Sequence, residues 1–208
     1  MSVFCKARNK NFTWAMTENE RELFKKYICG AKIYLEFGSG GSTIAALTNS
    51  GRKVYSVESD KGWIEKMKQK YEIILKSELS GQLHLIHADI GKTGKWGTPV
   101  ITAKGDNRER FLNYSQKPFE QYAEIRLADA VLIDGRFRAA CCLKTLLETS
   151  ENTVIIIHDF WNRPYYHIVK KYIQILDGVD SLMVCKRKEA VSEDEIRNDY
   201  DNYKYNYE

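Results

Sequence analysis

The stretch IYLEFGSGGSTIAAL, residues 33–47, decides the fold. An apolar run broken only by Glu36 leads into Gly38, Gly40 and Gly41, interleaved with Ser39, Ser42 and Thr43, and an apolar run resumes at Ile44. A strand passing through a glycine-rich turn into a helix is the opening unit of a nucleotide-binding α/β sheet, and its glycines let the backbone approach a ligand closely. The identity of that ligand follows from what surrounds the glycines. A phosphate cradle needs a lysine after its last glycine, and none lies between Lys32 and Lys53. The dinucleotide pattern is half met, because Gly38 and Gly40 are present but Thr43 stands at the third glycine position. Glu36 is the discriminating residue: a carboxylate at the lip of a low-dielectric crevice repels a pyrophosphate and suits a cationic ligand.

Working outward, the chain alternates. Apolar runs at 32–37, 53–58, 83–88, 129–134, 153–158 and 181–186 read as buried strands. Helices are expected over 13–29, 42–50, 60–77, 118–127, 136–149 and 163–176, the first opened by the capping box Thr17–Glu20 and the last admitting Pro164 in its first turn. Strands alternating with helices imply an α/β fold: a doubly wound, Rossmann-like, mostly parallel sheet of six or seven strands in three α/β/α layers. Residues 1–190 read as one domain, with 1–30 as a helical cap and the aperiodic 91–117 as an insertion or lid. The polar, tyrosine-rich 191–208 reads as a loosely packed helix or flexible tail, and no seventh strand is legible after residue 186.

Composition narrows the class. The 208 residues carry a net charge of +4, with short, scattered basic runs, which argues against nucleic acid as a partner. No apolar run reaches the ~18 residues of a membrane span, and residues 1–12 have no signal-peptide core. The five cysteines show no C-x-x-C spacing, which points to reduced thiols and a cytoplasmic protein. The tail and its neighbouring helices offer surfaces for a homodimer.

LEFGSGGST resembles the first motif of the class I S-adenosylmethionine-dependent methyltransferases, acidic-x-G-x-G. VYSVESDKGWIEKM, LHLIHADIG, ADAVLIDGRFR and TVIIIHDF resemble the family's second to fifth strand motifs, in order, over roughly residues 15–186. The resemblance implies S-adenosylmethionine as cofactor. Glu36, Gly38, Ser39 and Gly40 would line its methionine part, with Ser42 and Thr43 at its carboxylate. Glu58 and Ser59 would hold its ribose, Asp89 and Ile90 would flank its adenine, and Asp134 would face the methyl-transfer centre.

LIDGRFR and IIHDFW are most similar to the small-molecule O-methyltransferases, so a small acceptor methylated at oxygen is expected, with Asp134, His158 and Asp159 as the catalytic groups. Many of those enzymes hold a divalent cation. Here no metal is expected, since Phe160 stands where a further ligand would be; Asp134 and Asp159 are its ligands if one binds. Arg136 and Arg138 are candidates to clamp an anionic acceptor, and Trp14, Met16, Trp96, Trp161, Tyr165 and Tyr166 to wall its pocket. The competing readings are a nicotinamide-dependent oxidoreductase and a catalytically inactive binding protein of the same fold.

Overall fold

The computed structural model describes residues 14–100 and 108–208. In chain order the elements are α1 (Glu18–Ile28), β1 (Ile33–Phe37), α2 (Gly41–Ala46), β2 (Lys53–Glu58), α3 (Lys61–Lys70), α4 (Glu72–Leu79) and β3 (Leu83–His87). They continue with α5 (Leu112–Gln121), β4 (Ala130–Ile133), α6 (Arg138–Glu148), β5 (Val154–Ile157), β6 (Ile173–Val179), β7 (Leu182–Arg187) and α7 (Glu193–Tyr203). The apolar runs pair as parallel strands because both faces of each are covered: β1, β2, β4 and β5 are buried almost throughout. Side chains alternate between two cores. Leu35, Phe37, Val57, Ile133 and Ile157 point to one face, and Tyr34, Val54, Leu132 and Ile156 to the other.

Strand order in the seven-stranded sheet is β3-β2-β1-β4-β5-β7-β6. The chain winds outward from β1 to β3, then returns to start β4 on the other side of β1. The switch point therefore lies between the carboxyl ends of β1 and β4, where a doubly wound sheet opens its crevice. The loop after β1 and the IDGR segment after β4 meet there.

Four expectations are corrected. Residues 163–176 do not form a helix: 164–171 are a run of 3-10 turns and Ile173–Val179 is a strand, which supplies the seventh strand that the region after 186 does not. β6 and β7 form an antiparallel hairpin turning at Asp180–Ser181, with Asp180 at φ 50°. Asp tolerates that left-handed geometry without announcing it as Asn-Gly would, and the spacing of Ile168, Val169, Tyr172 and Ile173 mimics a helix face. The open edge of β5, filled by antiparallel β7, decides the outcome. The helix expected over 60–77 is two, because Tyr71 adopts an extended conformation that ends α3 and begins α4. The helix expected over 118–127 instead starts at Leu112, inside the segment read as an insertion, and stops at Gln121; 123–127 is a 3-10 turn. The tail is a packed helix: Ile196 and Tyr200 of α7 are buried, Tyr200 Oη pairs with Ser115 Oγ at 2.9 Å, and Tyr172 Oη donates to Asp199 at 2.6 Å.

Arg52 locks the amino-terminal half. Its side chain is 3% exposed and donates to the carbonyls of Ala31 (3.0 Å), Ala46 (2.9 Å) and Ile28, satisfying carbonyls at the ends of α1 and α2 that helices leave unpaired. Replacing it removes this donor from the Ala31 and Ala46 carbonyls, while the Ile28 carbonyl keeps the Ala31 N–H at 3.1 Å. Arg52→Met is expected to lower unfolding free energy by about 3 kcal/mol in urea titrations, more than one surface arginine would.

Candidate functional site

The first strand motif delivers Glu36 to the interior, where no water reaches it: the residue is 0% exposed. Its carboxylate accepts from four hydroxyls: Tyr34 Oη (3.0 Å), Ser42 Oγ (2.7 Å), Ser56 Oγ (2.6 Å) and Thr43 Oγ1. Burial pushes its pKa up to about 7 against the pull of those four donors. Thr43 Oγ1 also accepts from Gly40 N at 2.9 Å, closing the glycine loop over its own helix. Glu36 thus shapes the loop from behind rather than lining the cleft in front of it.

The second strand ends in Glu58, 8% exposed, whose Oε1 accepts from Ser59 N (2.7 Å) and Asp60 N (2.9 Å). Burial raises its pKa, and the backbone donors of Asp60, Ser59 and Ser39 oppose that. Among the described residues Oε2 has only a long contact from Ser39 N, 3.4 Å, which leaves that lobe of the carboxylate to accept from a ligand hydroxyl. Ser39 is fixed from both sides, its Oγ at 2.6 Å from Ser56 Oγ and its carbonyl accepting from Trp63 Nε1 at 2.9 Å.

Two glycines set the width of the crevice. A Cβ on Gly38, which sits at φ 100°, would lie 2.7 Å from Gly135 N, and a Cβ on Gly135 would lie 2.0 Å from Tyr114 Oη. The loop after β1 and the turn after β4 therefore touch backbone to backbone, a spacing only glycine permits. Beside this contact opens a cleft of about 760 Å³. Trp14, held by its carbonyl to Arg21 Nη2 (2.8 Å), covers Gly41 on one side; Trp96, 75% exposed, stands at the other.

The far wall carries charge. Asp134 Oδ1 is 2.8 Å from His158 Nδ1 and 3.3 Å from Arg138 Nη2. Asp159, at φ 57°, pairs with Arg138 Nη1 (3.1 Å) and Arg163 Nη2 (3.0 Å). His158 Nε2 reaches Glu20 Oε2 at 3.4 Å. Burial works to lower the His158 pKa, but the hydrogen bond to Asp134 and the charges of Asp134, Asp159 and Glu20 outweigh it and raise it. The imidazole bridges two carboxylates, Asp134 through Nδ1 and Glu20 through Nε2. Asp134, His158 and Asp159 offer ligand atoms within 4.8 Å of one another. They do not fit a divalent cation: both aspartates already face the guanidinium of Arg138, 3% exposed, and a metal would have to displace that buried charge.

Of the residues singled out from sequence, Gly38, Ser39, Gly40, Ser42, Glu58 and Ser59 line the cleft on one side, and Asp134, His158 and Asp159 on the other. Glu36, Thr43, Asp89 and Ile90 do not line it. Ile90 is in the core, and Asp89 pairs with Arg110 and accepts from Gly91 N at 3.0 Å. Trp14 and Trp96 wall the cleft; Met16 and Tyr166 are core, and Trp161 and Tyr165 lie outside it. Glu20, Tyr114 and Gly135 escaped the sequence reading. In the sequence Glu20 reads as the acid of a capping box, which the structure contains, and nothing local points to its second role. Tyr114 lies in the segment that shows no period.

Two outcomes are expected. An acid with a raised folded pKa binds its proton more tightly when folded, so its stabilisation is complete below the ordinary carboxylate range and lost as pH rises through about 7. Urea titrations from pH 4.5 to 7.5 should show about 3 kcal/mol of declining stability that is absent in Glu36→Gln. Gly135→Ala should cost about 1–3 kcal/mol through overpacking. A lowered thermal midpoint, partly restored by adding Tyr114→Phe, is the expected signature.

No family model matches the sequence, nor does any curated protein. Solved structures do. A methyltransferase-like protein from Silicibacter pomeroyi is 26% identical, with a TM-score of 0.76 over 94% of this chain and 98% of that one. An O-methyltransferase from Bacillus cereus, solved with S-adenosylhomocysteine, is 15% identical, with a TM-score of 0.53 over 83% and 82%. An RNA methyltransferase from Salinibacter ruber, also solved with S-adenosylhomocysteine, is 12% identical, with a TM-score of 0.50 over 86% and 97%. The last two share the fold alone, with acceptors as different as their names. With the switch-point crevice, the glycine contact between β1 and β4 and the carboxylate ending β2, these likenesses show that the chain has the fold of the class I S-adenosylmethionine-dependent methyltransferases.

Proposed function

We propose that the chain transfers a methyl group from S-adenosylmethionine to a small-molecule acceptor, at oxygen. The observation that carries the reading is the half-engaged carboxylate of Glu58 beside a glycine loop with no cationic phosphate cradle. A Cβ on Gly40, which lines the cleft, would meet nothing within 4 Å, so a ligand can lie directly on the loop's backbone there. Thr43, fully buried and bonded to Glu36, fills the place where a dinucleotide fold keeps its third glycine, which speaks against the nicotinamide reading.

S-adenosylmethionine supplies a methyl carbon already activated by its sulfonium, so the protein's work is positioning and, for a hydroxyl acceptor, proton removal. Glu58 Oε2 accepts from the ribose hydroxyls, and Ser39 and Gly40 present backbone to the methionine part. Asp134 keeps Oδ1 on His158 and Arg138, while Oδ2 has no protein partner among the described residues. That oxygen would accept the O–H of an acceptor and take its proton as the methyl carbon's bond to sulfur breaks and the C–O bond forms, leaving S-adenosylhomocysteine. His158 serves to orient Asp134 through the 2.8 Å contact of its Nδ1 with Oδ1. A cleft of about 760 Å³, walled by Trp14 and the paired charges, supports a small acceptor.

Calorimetry with S-adenosylhomocysteine tests the reading. Binding is expected, and Glu58→Ala should weaken it about 10- to 100-fold, the worth of hydrogen bonds to a charged group. Absence of binding at millimolar ligand would end the proposal.

A further inference from the structure

The charges around the cleft nearly cancel. On the acceptor wall Asp134, Asp159 and Glu20 are taken up by Arg138, Arg163 and His158. Glu20 is further satisfied by Ser181 N and Oγ and by Thr17 N. On the cofactor wall Glu58 is held by backbone N–H groups, and Asp60 caps α3 through Trp63 N. Arg136 is left over. It lines the cleft two residues beyond Asp134, and its guanidinium has no carboxylate partner among the described residues. Its Nε is buried without a hydrogen bond among the described residues, which leaves the terminal Nη groups as the donors for a ligand in the cleft.

The backbone fixes where this fork stands. Gly135 is pinned against Gly38 and Tyr114, Arg136 N lies 3.4 Å from Tyr114 Oη, and the next residue, Phe137, is fully buried at φ 55°. Phe137 is locked there by the rings of Phe111 and Tyr207. α6 begins immediately afterwards with no side-chain cap, adding the positive end of its dipole. Lys95, across the cleft, likewise has no carboxylate partner among the described residues; its Nζ lies 5.9 Å from the centre of the Trp96 ring.

We infer that Arg136 is an oxyanion subsite, and that the acceptor carries a carboxylate or phosphate group bound by this fork, beside the atom facing Asp134. The inference rests on the methyl-transfer reading for the word acceptor, but the anion site itself does not. Arg138, the other arginine of the IDGRFR segment, is spent on the two aspartates, so the anion-binding duty falls to one side chain. A planar fork matches either oxyanion with two parallel bonds, whereas a lysine gives one point charge.

The full chain, saturated with S-adenosylhomocysteine, is titrated at fixed ionic strength with inorganic phosphate in one arm and acetate in the other, against chloride, by calorimetry. Binding of at least one anion is expected in the millimolar range. It should be weakened tenfold or more in Arg136→Gln and partly retained in Arg136→Lys, with S-adenosylhomocysteine affinity changed less than twofold. Phosphate alone identifies a phosphorylated acceptor; acetate binding of equal strength identifies a carboxylate. No anion binding to the wild-type chain, or equal binding to Arg136→Gln, overturns the inference. A loss of S-adenosylhomocysteine affinity in Arg136→Gln also overturns it, because the fork would then hold the cofactor's own carboxylate. If the wild-type chain binds phosphate through Arg136 but not S-adenosylhomocysteine, the anion site stands and the methyl-transfer reading falls.

Discussion

A carboxylate sealed from water at the end of the first strand organises the site. Glu36 gathers a hydroxyl from its own strand (Tyr34), one from β2 (Ser56) and two from α2 (Ser42 and Thr43). An isolated buried charge would cost many kcal/mol, so the four donors and the raised pKa are two responses to one constraint. The consequence is rigidity where it matters. With α2 tied to β1 and β2 through one group, the glycine loop is held open in a single shape before any ligand arrives, which lowers the ordering cost of binding.

The opposite wall is organised by charge rather than by burial. Arg138 lies between Asp134 and Asp159, and His158 between Asp134 and Glu20. Glu20 belongs to α1, and it also grips Ser181 in the β6–β7 turn, while Thr17 Oγ1 donates to Asp180 at 2.5 Å. The helix that caps the cleft, the outer hairpin of the sheet and the groups that would handle the acceptor's proton are thus one hydrogen-bonded unit. Removing one member leaves a buried charge unpaired, so the cap helix is part of the site's electrostatics.

Much of this was legible in the residues. The strand–glycine–helix stretch, the acid ending β2 and the IDGR and HDF segments all come to one crevice, because a doubly wound sheet must place the carboxyl ends of its strands together. The reading erred where local pattern and tertiary demand disagree. Residues 173–176 carry apolar spacing that suits a helix, yet the free edge of β5 needed antiparallel partners, and β7 with β6 supplied them. The tyrosines of the tail looked like a loose end, but Tyr200 seats on α6 and α5, and Tyr207 closes on Phe137 behind the IDGR turn.

The sequence by itself determined the order of the five parallel strands β1 to β5, the crevice and the absence of a phosphate cradle, because these depend on periodicity and on which residues sit at strand ends. It could not assign the roles of individual charges. Glu36 and Glu58 both lie at or next to the end of a strand, yet one faces the interior and the other keeps an oxygen open to the cleft. Arg136 and Arg138 are two residues apart, yet one is consumed by aspartates and the other is left free. Such roles depend on which partner lies within hydrogen-bonding distance, and some of the deciding partners are distant in sequence: Ser56 lies 20 positions from Glu36, Asp159 lies 21 from Arg138, and Glu20 lies 138 from the His158 it meets. Only the folded chain brings them together.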